Sequence, residues 1–242
     1  MNRCLNCGSK LIGGYCHSCG QKSTVSRYTW RSVFADFPVL YNLDFKLVRT
    51  FNNLMTRPGA FIRHYLLGKR QDFFSPFKYF FIVLALNIAV TFILNRPAIR
   101  PVIIERENAR AMNHQAVSLL TNIVILIFIV PFAAGMKTTD RKSEYLFIED
   151  YCFLLYISAQ SILIFIIIQL LLAVFHPVLS GPVEGGAWFF IFSIFYLWAA
   201  IQFFGGSKRA RMFKSVISYI TGIFIWLILM ILIGKGVQVL LS

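Results

Sequence analysis

The chain has 242 residues, of which 57% are hydrophobic and only 14% are charged. Soluble domains are about 45–50% apolar and about 25% charged, so this composition excludes an ordinary soluble domain and indicates a membrane protein. The formal net charge of +14 would suggest nucleic-acid binding in a soluble protein. Here the basic residues lie beside apolar segments, which favours a topological bias and attraction to anionic lipid, and makes nucleic acid the weaker interpretation.

Four of the five cysteines form two knuckles near the N-terminus, Cys4-Leu5-Asn6-Cys7-Gly8 and Cys16-His17-Ser18-Cys19-Gly20. Two residues between the thiolates let both sulfurs of a knuckle reach one ion, and the following glycine permits the positive φ that turns backbone N–H groups toward sulfur. Four thiolates match the tetrahedral preference of Zn²⁺ and leave no open position for a substrate. We therefore expect a structural zinc ribbon over residues 1–27, with iron or a thiol redox pair as alternatives. The predicted ligands are Cys4, Cys7, Cys16 and Cys19.

Residues 28–76 carry amphipathic patterns that predict short helices. Apolar residues recur with helical spacing from Trp30 to Phe37 and from Phe45 to Leu54. Pro58 restarts the pattern at a first helical position, and Gly68 ends it. Two interpretations stay open, a set of helices on the membrane surface and a set packed on the membrane bundle. The basic residues that we assign to the lipid interface are Arg57, Arg63, Lys69, Arg70 and Lys78.

Five apolar segments follow, each long enough to cross about 30 Å of hydrocarbon. None has a charged residue in its middle, and they cover residues 77–94, 116–136, 151–175, 187–204 and 216–233. The predicted fold class is therefore an all-α integral membrane protein. It would consist of a ribbon (1–27), juxtamembrane amphipathic helices (28–76) and about five transmembrane helices (77–242).

The basic residues predict the orientation of these helices. Lys and Arg are concentrated before the first segment and in loops 137–150 and 207–214, whereas loop 176–186 has none. The positive-inside bias then places the N-terminus in the cytoplasm and the C-terminus in the periplasm. A cytoplasmic ribbon agrees with this, because no apolar stretch of a secretory signal precedes Cys4, and paired cysteines in a reducing compartment more often bind metal than form a disulfide.

Polar residues at the membrane helices are candidates for a binding site. They are the face Asn87, Thr91 and Asn95 in the first helix and the acids Glu149 and Asp150 at the start of the third. Interhelical hydrogen bonding accounts for the first set, and the preference of a helix N-terminus for acids accounts for the second. The sharper alternative is a polar site at the cytoplasmic face, where the acids would meet the basic residues of the juxtamembrane region. No residues form a recognisable catalytic constellation.

The order of the motifs resembles a known family. A Cys-x2-Cys-Gly…Tyr-Cys-x2-Cys-Gly-Gln pattern runs from Cys4 to Gln21, and it is followed by Thr56-Arg57-Pro58-Gly59, Tyr65, Gly68-Lys69-Arg70 and Pro76. This order resembles an uncharacterised family of bacterial integral membrane proteins, defined only as a domain of unknown function. The resemblance implies an inner-membrane protein with a metal ribbon and no established activity. Members often carry Glu-His where this chain has Glu149-Asp150, so a role that needs the histidine is not carried over.

Three functions are compatible with these patterns. The favoured one is a binding, regulatory or scaffold module whose ribbon engages an unknown cytoplasmic protein partner while the bundle anchors it. The alternatives are a transporter or flippase of a lipid or small molecule, motivated by the polar face of the first helix, and a membrane enzyme acting on a lipid headgroup, motivated by the two acids. The expected partners are the bilayer, including anionic lipid, and the cytoplasmic protein. A homo-oligomer stays open, and we assign no catalytic residue.

Overall fold

A computed structural model of the chain describes residues 3–25, 27, 29, 46–94, 125–140, 144–175 and 182–241. Within them the regular structure is helical, apart from two isolated β-bridges in the ribbon. In chain order the helices are α1 Lys46–Thr56, α2 Pro58–Leu66, α3 Pro76–Leu94, α4 Ile125–Thr139, α5 Phe147–Phe175, α6 Pro182–Phe203 and α7 Lys208–Leu241. The predicted all-α fold class is confirmed.

Four of the described helices are long and apolar enough to cross a membrane. They are α3, Phe147–Leu171 within α5, Gly186–Phe203 within α6 and Lys208–Leu232 within α7. They match the first, third, fourth and fifth predicted segments. The second predicted segment is represented by α4, a shorter apolar helix, because residues 116–124 lie outside the described part of the chain. The amphipathic helix predicted from Trp30 to Phe37 also lies outside it.

Helix α5 forms the centre of the bundle. Its residues 151–162 are all buried, and it packs against both α3 and α6. By contrast, only 17% of the apolar window of α7 is buried, and side chains such as Ile220 and Phe224 are exposed on it. Lipid tails are as apolar as these side chains, so this exposure carries no penalty in a bilayer. The burial pattern is thus that of a multi-pass membrane protein.

Helices α4 and α7 cross through two glycines. A Cβ atom at Gly135 would lie 2.5 Å from the Ser218 carbonyl oxygen, and one at Gly222 would lie 2.7 Å from the Phe132 ring. Such close approach provides van der Waals contact where water does not drive helices together. The Ser218 hydroxyl also shares a buried hydrogen bond of 2.9 Å with the hydroxyl of Tyr196 in α6. Helix α7 is therefore attached to two neighbours.

Helix α2 packs on the end of α6. A Cβ atom at Gly59 would lie 2.1 Å from the Ala199 carbonyl oxygen, so the two helices touch backbone to backbone. The Arg63 Nη2 atom donates to the Gln202 carbonyl at 2.8 Å and also to the Phe203 carbonyl. It thereby satisfies orphan carbonyls and places a cation at the C-terminus of α6. Of the two interpretations left open for the juxtamembrane helices, packing on the bundle is the one that α2 follows.

Residues 67–72, which we call the docking turn, follow α2. Gly68 in this turn has φ +116°, as expected of the glycine predicted to end the helix. Just beyond the turn, the Phe74 amide donates to Thr50 Oγ1 at 3.1 Å, and the Phe74 carbonyl accepts from the Tyr156 hydroxyl. Side chains of α1 and α5 therefore fix the chain between the docking turn and α3.

We predict that Gly59→Ala destabilises the bundle. The added methyl group would have to displace helix backbone, and overpacking of this kind costs about 1–3 kcal/mol. Thermal unfolding of the purified protein in detergent measures the effect. Gly186→Ala in α6 is the matched control, because a Cβ atom there meets nothing within 4 Å. Equal midpoints for the two variants would contradict the close contact between α2 and α6.

Candidate metal centre and the adjoining cleft

The four predicted ligand cysteines converge on one point. Their sulfurs all lie within 4.8 Å of one another, with Cys4 Sγ 3.6 Å from Cys19 Sγ and Cys7 Sγ 3.5 Å from Cys16 Sγ. A tetrahedral ion with metal–sulfur bonds of about 2.3 Å would separate its sulfurs by about 3.8 Å. All four cysteines are free thiols. The cluster therefore fits one metal ion held by four thiolates.

The two knuckles have the same backbone geometry. In the first, the Gly8 amide donates to the Cys4 carbonyl at 2.9 Å, and in the second the Gly20 amide donates to the Cys16 carbonyl at 2.8 Å. Gly8 and Gly20 have φ values of 77° and 73°, a region that L-residues with a side chain rarely adopt. The positive φ predicted for the residue after each knuckle is confirmed at both positions.

The thiols of the cluster are electrostatically unequal. Hydrogen bonding to the side chain and backbone of Ser9 lowers the pKa of Cys7 to about 6, since it stabilises the thiolate. Desolvation raises the pKa of Cys19 to about 11. Four neighbouring thiolates repel one another, so a divalent cation is what lets all four ionise together.

The ribbon (residues 3–25) is bound to the docking turn through Gln21, whose residue surface is only 4% exposed. Its Nε2 atom donates to the Gly68 carbonyl at 2.9 Å. Its Oε1 atom accepts from the amides of Arg70, at 3.4 Å, and Gln71, at 3.3 Å. The side chain of Gln21 therefore satisfies polar backbone groups on both sides of the turn. Sequence reasoning missed this role, and the available signal was a glutamine directly after the second knuckle.

Further contacts surround this hydrogen-bonded centre. The Asn6 side chain donates to the Asp72 carboxylate at 2.8 Å. A Cβ atom at Gly68 would lie 2.9 Å from the Leu5 side chain and 3.4 Å from that of Val25. Both the first knuckle and the end of the ribbon thus contact the docking turn, and a side chain at Gly68 would push them away.

Arg27, just after the ribbon, makes a second attachment to the bundle. Its Nε and Nη2 atoms each lie 2.9 Å from a carboxylate oxygen of Glu149 in α5. Glu149 also accepts from the Leu146 amide at 2.7 Å, which is how an acid in the first turn caps its own helix. The Glu149 side chain is only 3% exposed, against 49% for that of Arg27. The Glu149 hydrogen bond raises the pKa of Arg27, so the guanidinium group stays charged.

A cleft of about 560 Å³ opens beside this ion pair. It is lined by Val25, Arg27, Leu66, Leu67, Arg70, Asp140, Glu144, Tyr145, Glu149 and Gly205. These residues come from the end of the ribbon and Arg27 just after it, from α2 and the docking turn, from the segment between α4 and α5 and the first turn of α5, and from the turn after α6. The structure thus brings together at one end of the bundle the segments that the sequence places on one side of the membrane.

The basic residues assigned to the lipid interface occupy different environments. Arg70 lines the cleft, where it donates to the carbonyls of Tyr65 and Leu66, and Arg63 binds the end of α6. Arg57 and Lys69 are exposed, and Lys78 is half-buried. The sequence also predicts, as an alternative, a polar site in which acids at the start of the third membrane helix meet basic juxtamembrane residues. Of the residues in that prediction, Arg70 and Glu149 line the cleft. Binding of lipid by these residues stays a prediction.

The remaining candidates do not share the cleft lining. Asp150 is buried, and its Oδ2 atom has no hydrogen-bond partner within the described part of the chain. Asn87 and Thr91 are half-buried in α3, about two and three turns beyond Tyr79. Asn95 lies outside the described residues. The intramembrane polar site stays a prediction, and its described members lie on two helices.

Comparison with known proteins gives one partial match. A family model described as a protein of unknown function (DUF3667) matches residues 44–87. That segment covers α1, α2, the docking turn and the first part of α3, and it includes both the Thr56–Gly59 motif and Gly68–Arg70. No curated protein and no solved structure matches the chain. The matched segment thus includes the docking turn, which the ribbon contacts through Gln21.

We predict that Gln21→Ala speeds the release of the bound metal. The substitution removes three hydrogen bonds that hold the folded ribbon on the docking turn, and net contributions are about 0.5–1.5 kcal/mol each. Transfer of metal to a coloured chelator should become about tenfold faster, since about 1.4 kcal/mol corresponds to a factor of ten. Lys22→Ala is the control, because the side chain of Lys22 is exposed beside Gln21. Equal rates in the two variants would show that docking does not stabilise the ribbon.

Proposed function

We propose that this chain is a binding or regulatory module of a bacterial cytoplasmic membrane, whose zinc ribbon engages a cytoplasmic protein partner. The observation that carries the proposal is the two-sided character of the ribbon. One side is bound to the docking turn through Leu5, Asn6 and Gln21. The other side is exposed, and Ile12 and Tyr15 on the connection between the knuckles are 85% and 66% exposed.

The exposed side of the ribbon has the chemistry of an interaction surface. Exposed aromatic and aliphatic side chains commonly anchor protein interfaces. Lys10 and Lys22 are also exposed, and the sequence from 3 to 25 contains no acidic residue. A protein partner that fits this surface has an apolar patch with acidic groups around it.

Zinc is the metal that we assign to the ribbon. Four thiolates form a closed tetrahedral set, which is typical of structural zinc sites and leaves no position for a substrate. The ribbon in this proposal is therefore a folded binding surface that depends on metal, with no chemistry at the ion itself. Iron in place of zinc would leave the geometry of the surface unchanged.

The orientation follows from charge. The basic N-terminal region, Lys137 near the end of α4 and the basic start of α7 carry most of the Lys and Arg, and we place them in the cytoplasm. The cleft is lined both by the N-terminal region and by residues that follow Lys137 in the chain, such as Asp140 and Tyr145. This supports a common side, and so does the 3.0 Å ion pair between Lys214 and Asp140. The C-terminus would then lie in the periplasm.

The enzyme alternative is weaker for a geometric reason. A general acid or base must exchange a proton with its substrate. The Glu149 carboxylate, the candidate that lines the cleft, is already held by Arg27 and by the Leu146 amide. The transporter alternative depends on Asn87 and Thr91, which do not line the described cleft. We therefore favour binding over either alternative.

A crosslinking experiment tests the proposed partner surface. A photo-reactive amino acid at position 10 should crosslink a cytoplasmic protein in cells, and the crosslink should be lost when Ile12→Ser and Tyr15→Ser are combined. Cys4→Ser should abolish it as well, because the ribbon would lose a ligand. His17→Ala is the control, since His17 is exposed within the second knuckle. A crosslink that survives both the double change and Cys4→Ser would refute the proposal.

A further inference from the structure

We propose that the 560 Å³ cleft beside Arg27 and Glu149 binds a phosphate ester carrying a primary amine, the chemistry of an aminophospholipid headgroup. This inference concerns a different surface from the partner-binding side of the ribbon and does not depend on it. Small-molecule sites are typically clefts of about 300–1,000 Å³ with an apolar lining and a few convergent polar groups. The cleft fits this description, since it combines aliphatic walls with charges of both signs.

The charges of the lining point to a zwitterion. Two guanidinium groups, Arg27 and Arg70, and three carboxylates, Asp140, Glu144 and Glu149, line the cleft. Planar guanidinium groups suit the oxygens of a phosphate. Because Lys214 pairs with Asp140, the cleft presents cationic and anionic groups in about equal number. A ligand that carries both a phosphate and an ammonium group can pair with the guanidinium groups and with the carboxylates.

Two residues are placed to receive the ligand. The ion pair with Glu149 uses Nε and Nη2 of Arg27, so Nη1 takes no part in it, and the Arg27 side chain is half exposed. Glu144 is exposed, and its charge acts on Arg27 across the cleft. Asp140 is already bonded to Lys214 at 3.0 Å. We therefore assign the phosphate to Arg27 and the amine to Glu144.

The position of the cleft fits the headgroup layer. It lies at the start of α5 and just after the end of α6, and the polar layer of a bilayer extends about 5–7 Å beyond each face of the hydrocarbon. Leu67, which lines the cleft, is 63% exposed, and Leu146 and Phe147, which follow the lining residue Tyr145 in the chain, are 43% and 37% exposed. These side chains would contact acyl chains where a headgroup enters the cleft.

Binding of short-chain lipids to the metal-loaded, full-length protein in detergent tests the inference. We expect dihexanoyl phosphatidylethanolamine to bind at least about tenfold more tightly than its phosphatidylcholine and phosphatidylglycerol counterparts, measured by calorimetry. The first competitor has no amine N–H to donate and the second has no amine. Soluble phosphoethanolamine forms a separate arm. If phosphoethanolamine binds as well as dihexanoyl phosphatidylethanolamine, the headgroup alone is recognised. If only the lipid binds, its acyl chains contribute to binding.

Glu144→Gln should remove the preference for the amine, because the ammonium group loses its counter-charge. Residue 144 is exposed, so this variant is expected to fold. Glu184→Gln is the matched control, since residue 184 is near the opposite end of α6, about 28 Å along the helix from Phe203. Equal affinity for the three lipids would overturn the inference. Tighter binding of phosphatidylglycerol, or a preference that Glu144→Gln leaves intact, would overturn it too.

Discussion

The carboxamide of Gln21 joins the ribbon to the docking turn through both of its polar atoms, which bond the Gly68 carbonyl and the amides of Arg70 and Gln71. A ribbon of this size has almost no apolar core, so a metal ion held by the four cysteines would supply most of its folding free energy. The carboxamide is held in place only when the ribbon is folded. Binding of metal to the ribbon and ordering of the docking turn are therefore thermodynamically coupled.

The docking turn passes this constraint to the membrane helices. Helix α2, which precedes it, touches the backbone of α6 at Gly59 and binds the carbonyls at the end of α6 through Arg63. Arg27 adds an independent attachment to Glu149 at the start of α5. Glu149 is buried, and a buried charge without its partner is strongly unfavourable. An unfolded ribbon would thus disturb both α2 and α5, which is a physical route from the ribbon to the bundle.

The parts of the structure that depend on local pattern could be predicted from the sequence. The four cysteines, the positive φ of Gly8 and Gly20 and the apolar spans each follow from spacing or composition within one segment. Gln21, Arg27 and Gly59 could not be assigned in this way, because their partners lie 47, 122 and 140 residues away. Arg63 was assigned to lipid because a basic residue near a membrane suits a phosphate equally well, and only the fold places it at the end of α6.

Hydrogen exchange at the amides of Arg70 and Gln71 tests the link between metal and docking turn most directly. Both amides donate to Gln21 Oε1, and they are protected only while the folded ribbon is docked. After removal of the metal with a chelator, their exchange should accelerate at least about tenfold, while amides in the buried 151–162 segment of α5 keep their rates. Exchange at both amides that does not change on metal removal would contradict the account.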